Sequence, residues 1–119
     1  MKNIEYYYTI DGKCPYLDWF NGLDNMFKVR IQKRLKKLHD EDHYGDYHTL
    51  QNSALSELRF DFGKGYRIYY YDIEDSLILF VAGSDKKEQK KLIQQANIYF
   101  SDYCERTHYE PNKWTNWIS

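Results

Sequence analysis

The clearest period in the chain lies between residues 25 and 39. Phe27, Ile31, Leu35 and Leu38 recur at intervals of four, four and three, which makes one apolar stripe of a helix. Arg30, Lys33, Arg34 and Lys37 fall together on a flank of that stripe, a pattern that a solvated helix face also produces. Ahead of it, IEYYYT at 4–9 reads as a strand closed by the turn residues DGK at 11–13. Pro15 suits the first turn of a short helix over PYLDWFNGL, and Gly22 and Asn25 mark a bend. The expected helices are therefore 15–24 and 25–39. HDEDHYGDYH at 39–48 reads as a loop.

Residues 57–62 and 66–72 alternate like two strands. Leu58, Phe60 and Phe62 share one face, and Glu57, Arg59 and Asp61 share the other. Tyr66, Ile68 and Tyr70 alternate against Arg67, Tyr69 and Tyr71. Cross-strand partners share a face, so a two-residue turn at Gly63-Lys64, which pairs Arg59 with Ile68, mixes the faces. A three-residue loop, Gly63-Lys64-Gly65, pairs Asp61 with Arg67, Arg59 with Tyr69 and Glu57 with Tyr71, and matches every face. The hairpin then has an apolar face and a face of Arg, Tyr and acids. Either those arginines are held by carboxylates as structural pairs, or they face an anionic ligand. Asp61 can neutralise Arg67, and Glu57 can reach Arg59 diagonally.

SLILFVAG at 76–83 is apolar on both faces, as a central strand covered on both sides would be. Asp85 followed by Glu88 predicts a capping box for a helix over about 86–106, with Leu92, Ala96, Tyr99 and Tyr103 on one stripe. Lysines 86, 87, 90 and 91 crowd its first turns, against the helix dipole, a cluster better understood if an anion or an acidic partner compensates it. Residues 107–119 form a tail with Trp114 and Trp117, which are expected to pack on the domain or on a partner.

Composition narrows the function. The 119 residues suit one domain, and one of that length buries roughly two-thirds of its unfolded surface without needing metal or disulfide staples. Net charge is -1, so the chain is not a polycation that binds nucleic acid through its field alone. The 13 Tyr, 6 Phe and 3 Trp suit half-buried surfaces, partner interfaces or base stacking. Cys14 and Cys104 stand far apart without a CxxC, and neither a leader peptide nor a membrane-length apolar run is read, so a cytoplasmic protein with free thiols is expected. The 39–48 loop tempts a metal reading, but a calcium loop begun at Asp40 meets Tyr44 where an Asp or Asn belongs and Gln51 where the bidentate Glu belongs, and its histidines have no zinc spacing. No metal and no cofactor are expected. DFG at 61–63 is not a kinase signal in so short a chain.

Four blocks carry a resemblance: DGKCPYLDWFNGLD, RIQKRLKKL, LSELRFDFGKGYRIYY and VAGSDKKEQKKLIQQA. In that order, over about residues 4–103, the chain resembles the RelE/ParE superfamily of bacterial toxins, closest to its HigB-like, phage-related branch. The resemblance implies an α+β fold: a mainly antiparallel sheet with two N-terminal helices packed on it and a C-terminal helix. It divides the chain into a toxin domain at 1–106 and a tail at 107–119. It implies a type II toxin that cuts mRNA on the ribosome without metal, and a cognate helix-turn-helix antitoxin. ParE-type relatives instead poison DNA gyrase on the same scaffold, and an inactive relative that only binds antitoxin is a further alternative.

Metal-free RNA cleavage uses the 2′-hydroxyl as nucleophile and needs a base near it, cations around the phosphate and an acid for the leaving oxygen. Arginine suits the phosphate through its bidentate fork. The expected catalytic residues are Arg67, which matches the arginine of the family's GYR block, together with Arg59, Lys86 and Tyr69. Tyr69 would stack on a base or orient a phosphate. Lys87, Lys64, Arg30 and Arg34 are the expected further RNA contacts. The hairpin carries no histidine, so Lys86, with its pKa lowered by neighbouring cations, is the candidate base.

Overall fold

The computed structural model describes residues 1–51 and 53–110; Trp114 and Trp117 lie outside the described residues. The elements run β1 (Asn3–Tyr6), α1 (Pro15–Asn21), α2 (Asn25–Glu41), β2 (Tyr47–Thr49), β3 (Ser56–Arg59), β4 (Arg67–Glu74), β5 (Leu77–Ser84) and α3 (Gln89–Thr107). They build an α+β structure around one five-stranded sheet of order β1-β5-β4-β3-β2. Only β1 and β5 run parallel; the other pairs are antiparallel. No described helix is long and apolar enough to cross a membrane.

The doubly apolar reading of 76–83 holds. β5 lies inside the sheet, and Ile78, Leu79, Phe80 and Val81 are wholly buried. Ile78 and Phe80 face α1 and α2, in a cluster with Ile31, Leu38, Leu58, Ile68 and Tyr70. Leu79 and Val81 face α3, in a cluster with Tyr69, Tyr71, Ala96 and Phe100. The two N-terminal helices thus cover one face and α3 the other. Between Tyr69 and Tyr70 the ladder skips Val81, a bulge that resets the alternation along β5. Ala82 then faces α3, whereas Gly83 lies under the Trp19 ring of α1, which a Cβ there would meet at 2.2 Å.

The hairpin register departs from expectation. Glu57 pairs with Tyr69, Leu58 with Ile68 and Arg59 with Arg67, so Arg67 faces Arg59 and not Asp61. The Phe60 N–H still reaches the Tyr66 carbonyl at 3.0 Å, which leaves residues 61–65 as the loop. The expected three-residue loop is thus too short by two. A slide of two residues preserves every face match, because side chains alternate with period two, so face matching cannot choose between the registers. Packing chooses. Phe62, released from the ladder, stacks on Phe27 of α2 at 5.7 Å and takes the Arg30 guanidinium over its ring at 4.0 Å. Gly63 and Gly65 supply the left-handed turns, with φ of 59° and 70°.

Two further boundaries move. The loop read at 39–48 is interrupted: α2 continues to Glu41, Asp42 caps it at φ 56°, and Tyr47–Thr49 forms an exposed edge strand beside β3. At the other helix, the Asp85 carboxylate accepts the Glu88 N–H at 2.9 Å, as half of a capping box would, but the regular turns of α3 begin only at Gln89. Lys86 and Lys87 therefore sit in the turn between β5 and α3.

Candidate functional site

The site is organised by a carboxylate. Glu57 of β3 is wholly buried, on the sheet face that α3 covers. Its Oε1 accepts the Arg59 Nε–H at 2.8 Å, an i,i+2 pair that strand alternation puts on one face. The Arg67 Nε lies 3.8 Å from the same oxygen. From α3, Gln89 Nε2 reaches both carboxylate oxygens at 3.1 and 3.0 Å. One buried acid thus ties together β3, β4 and the first turn of α3. Charged hydrogen bonds of this kind fix guanidinium planes more firmly than neutral ones.

Arg67 donates from Nη1 to the carbonyls of Gly65 and Tyr66 at 3.0 and 3.3 Å. Its Nε is buried and has no hydrogen-bond partner among the described residues. Arg67 keeps 11% of its side chain exposed, while Arg59 keeps 36%. Both arginines and the exposed Lys86 line one cleft of ≈ 320 Å3, together with Asp46, Phe60, Asp61 and Gly65. A Cβ on Gly65 would come within 3.2 Å of the Lys86 Cβ, so this glycine lets the loop approach the lysine.

Of the residues expected from the sequence, Arg59, Arg67 and Lys86 come together on this cleft; the others lie elsewhere. Tyr69 is 0% exposed, and its hydroxyl bonds Ser84 Oγ at 2.8 Å. Burial pushes that phenol up to about 12, so it is a neutral buried support beneath the cleft, with no face for a base to stack on. Arg34 is half-buried. Its guanidinium donates to the carbonyls of Tyr44, Asp46 and Arg59 and lies 4.4 Å from the Phe60 ring centroid. Burial holds its pKa below the usual range. It braces the cleft wall from behind. Arg30, Lys64 and Lys87 are exposed and do not line this cleft. Glu57 was legible only as a partner for Arg59, and Gln89 carried no signal, because a contact between β3 and α3 depends on how the helix packs.

Chemically, the cleft offers preorganised cations with carboxylates beside them. No described residue takes up the Arg59 Nη atoms, so they remain available to a ligand. Asp46 and Asp61 line the same space, and Glu57 lies beneath it. The arrangement suits a small anionic group held by directed donors better than a long polyanion held by field.

A sheet-and-helix α+β protein with an arginine–carboxylate cleft is the class that fold and site define. An uncharacterized protein of Haemophilus influenzae is 36% identical to this chain over 81 residues, which are 67% of this chain and 80% of that protein. The chain belongs to the same family as that protein. No family model matches it.

Proposed function

We propose that the chain is the toxin of a type II toxin–antitoxin system, a metal-independent endoribonuclease that cuts mRNA on the ribosome in the cytoplasm. The observation that carries this reading is the convergence of Arg59, Arg67 and Lys86 on one cleft. The resemblance of the hairpin and of the GSDKKEQ block to RelE/ParE toxins supports it. A cognate helix-turn-helix antitoxin is the expected partner.

In this reading the arginines and Lys86 surround the scissile phosphate. The 2′-oxygen attacks phosphorus, and the bond to the 5′-oxygen breaks. The 2′-proton goes to a lining carboxylate, Asp46 or Asp61, and the 5′-oxygen takes a proton from Lys86. The carboxylates replace Lys86 as the base because they share the cleft, and Lys86 is then free to act as the acid. Arg67 is nearly buried beside Glu57 and Arg59 is hydrogen-bonded to it, so the cleanest test is the exposed Lys86, with Arg59 beside it. Losing one preorganised donor typically costs about 3 kcal/mol of transition-state stabilisation, or roughly a hundredfold in rate. Lys86→Ala and Arg59→Ala should each lower cutting by that much, read by sequencing mRNA 5′ ends after induction; melting stays near wild type for Lys86→Ala and falls for Arg59→Ala, which takes the nearest cation from the buried Glu57 carboxylate. Undiminished cutting in both variants overturns the assignment.

A second reading, a ParE-like poison that binds a protein such as gyrase, is favoured by one observation: the cations of the cleft are balanced by Glu57, Asp46 and Asp61. Growth arrest without mRNA cuts would select it.

A further inference from the structure

A second cleft, of ≈ 510 Å3, adjoins the first across a ridge. The Lys86 N–H donates to the Lys64 carbonyl at 3.2 Å and ties the hairpin loop to the β5–α3 turn. Gly65 and Lys86 line the cationic cleft on one side, and Lys64 and Asp85 line the second cleft on the other. Trp19, Phe27 and Tyr66 give the second cleft its rings, and Asp24, Asp85 and Glu88 give it carboxylates.

The rings are fixed by packing. Tyr66 meets Trp19 at 6.0 Å and Phe27 at 5.4 Å, both edge-on, and Trp19 rests on the Gly83 backbone. Of the three carboxylates, Asp85 accepts the Glu88 N–H, whereas those of Asp24 and Glu88 have no hydrogen bond or ion pair among the described residues. Among the described residues, Lys64 is the one cation lining the space. Aromatic walls with acids above them attract a cation through ring quadrupole and charge together, and they repel phosphate. The volume falls within the range of ligand-binding pockets.

We propose that this cleft receives an arginine or lysine side chain of a partner polypeptide, whose next few residues cross the ridge and set an acidic side chain against Arg59 and Lys86. The two clefts carry opposite charge preferences side by side, so the fitting segment is basic and then acidic, a few residues apart. That such a segment would inhibit RNA cutting rests on the proposed nuclease function; the binding itself does not.

The probe is a blocked synthetic peptide, Arg-Gly-Gly-Glu, titrated into the full chain and followed by amide NMR shifts. Shifts centred on Trp19, Gly22 and Gly63 and on the Arg59 cleft are expected. Replacing the peptide's arginine by neutral citrulline should weaken binding about tenfold, since the cation–ring and charge terms are both lost, and the Asp24→Asn/Glu88→Gln protein, which keeps its rings and loses only the charge term, should weaken it by a smaller factor of about three. The double variant should still cut mRNA like wild type, because neither acid belongs to the cutting machinery. Shifts elsewhere, no shifts, or equal binding of the citrulline peptide overturn the proposal. So does a short RNA that shifts these residues where the peptide does not, which would make the cleft an RNA subsite. Peptide binding by a chain that cuts no RNA would uphold this site and sink the nuclease reading alone.

Discussion

Replacing Glu57 by glutamine is the sharpest perturbation of the site. The side chain keeps its size and loses its charge. In the native protein that charge meets Arg59 at 2.8 Å, Arg67 at 3.8 Å and Gln89 at 3.0 Å, with no exposure to water. The new amide oxygen can still accept one hydrogen bond, but the new NH2 group points donors at donors. Removing one partner of a buried pair typically costs about 3–5 kcal/mol, because the other charge stays buried. Arg59 escapes part of this, since its side chain is 36% exposed and can turn to water. Arg67, 11% exposed and anchored on the Gly65 and Tyr66 carbonyls, cannot. The low end, about 3 kcal/mol, is therefore expected, and it corresponds to a fall in melting temperature of roughly 12 °C for a domain of this size. Urea unfolding followed by circular dichroism measures the free energy. Adding Arg67→Met to Glu57→Gln should recover part of the loss, because the stranded charge is then gone. A Glu57→Gln protein within about 0.5 kcal/mol of wild type, the scatter of ordinary surface substitutions, would refute the view that this acid organises the arginines.

Two further outcomes follow from packing and ionisation. Gly83→Ala sets a Cβ 2.2 Å from the Trp19 ring, so it should cost about 1–3 kcal/mol in thermal melts, and less when Trp19→Ala accompanies it. The phenols of Tyr69 and Tyr7 are both pushed up from 10.0 to about 12, chiefly by burial. The stability this gives is fully present below pH 10 and is lost as pH rises to 12. Unfolding free energy should therefore hold level up to pH 10 and fall beyond it, with native tyrosinate absorbance lagging that of the unfolded chain; simultaneous titration near pH 10 in both states would contradict the burial argument.

The legible parts of the fold were those written in a period. The stripe of α2 and the two-sided strand β5 need only spacing and hydrophobicity, and both stand where the spacing put them. The hairpin shows the limit of this reading. Alternation correctly put Glu57, Arg59, Arg67 and Tyr69 on one face, yet a slide of two residues leaves that assignment unchanged. What separates the registers is Phe62 against Phe27, a contact between elements more than thirty residues apart in sequence. β2 was missed for a different reason. All three of its residues are exposed, so no alternation of burial marks it.

The same distinction explains the site. Arg59 and Arg67 were found together because the strand period puts them on one face, and Lys86 because it follows the strand that ends beside them. Glu57 was visible only as a neighbour of Arg59; its role as a hub depends on Gln89, which α3 brings onto the same face of the sheet. That hub changes the electrostatic argument. A net charge of -1 looked unfavourable for an RNA-binding protein while binding was imagined as attraction by an overall field. With Glu57 holding the Arg59 plane and lying beside Arg67, and Asp46 and Asp61 in the lining, the cleft has little net field to offer. Its capacity lies in donors fixed before the ligand arrives, and fixed donors stabilise charge that develops at one atom more effectively than charge spread along a chain. A site so built needs its substrate delivered, and a ribosome presenting one codon at a time does that in the proposed reaction.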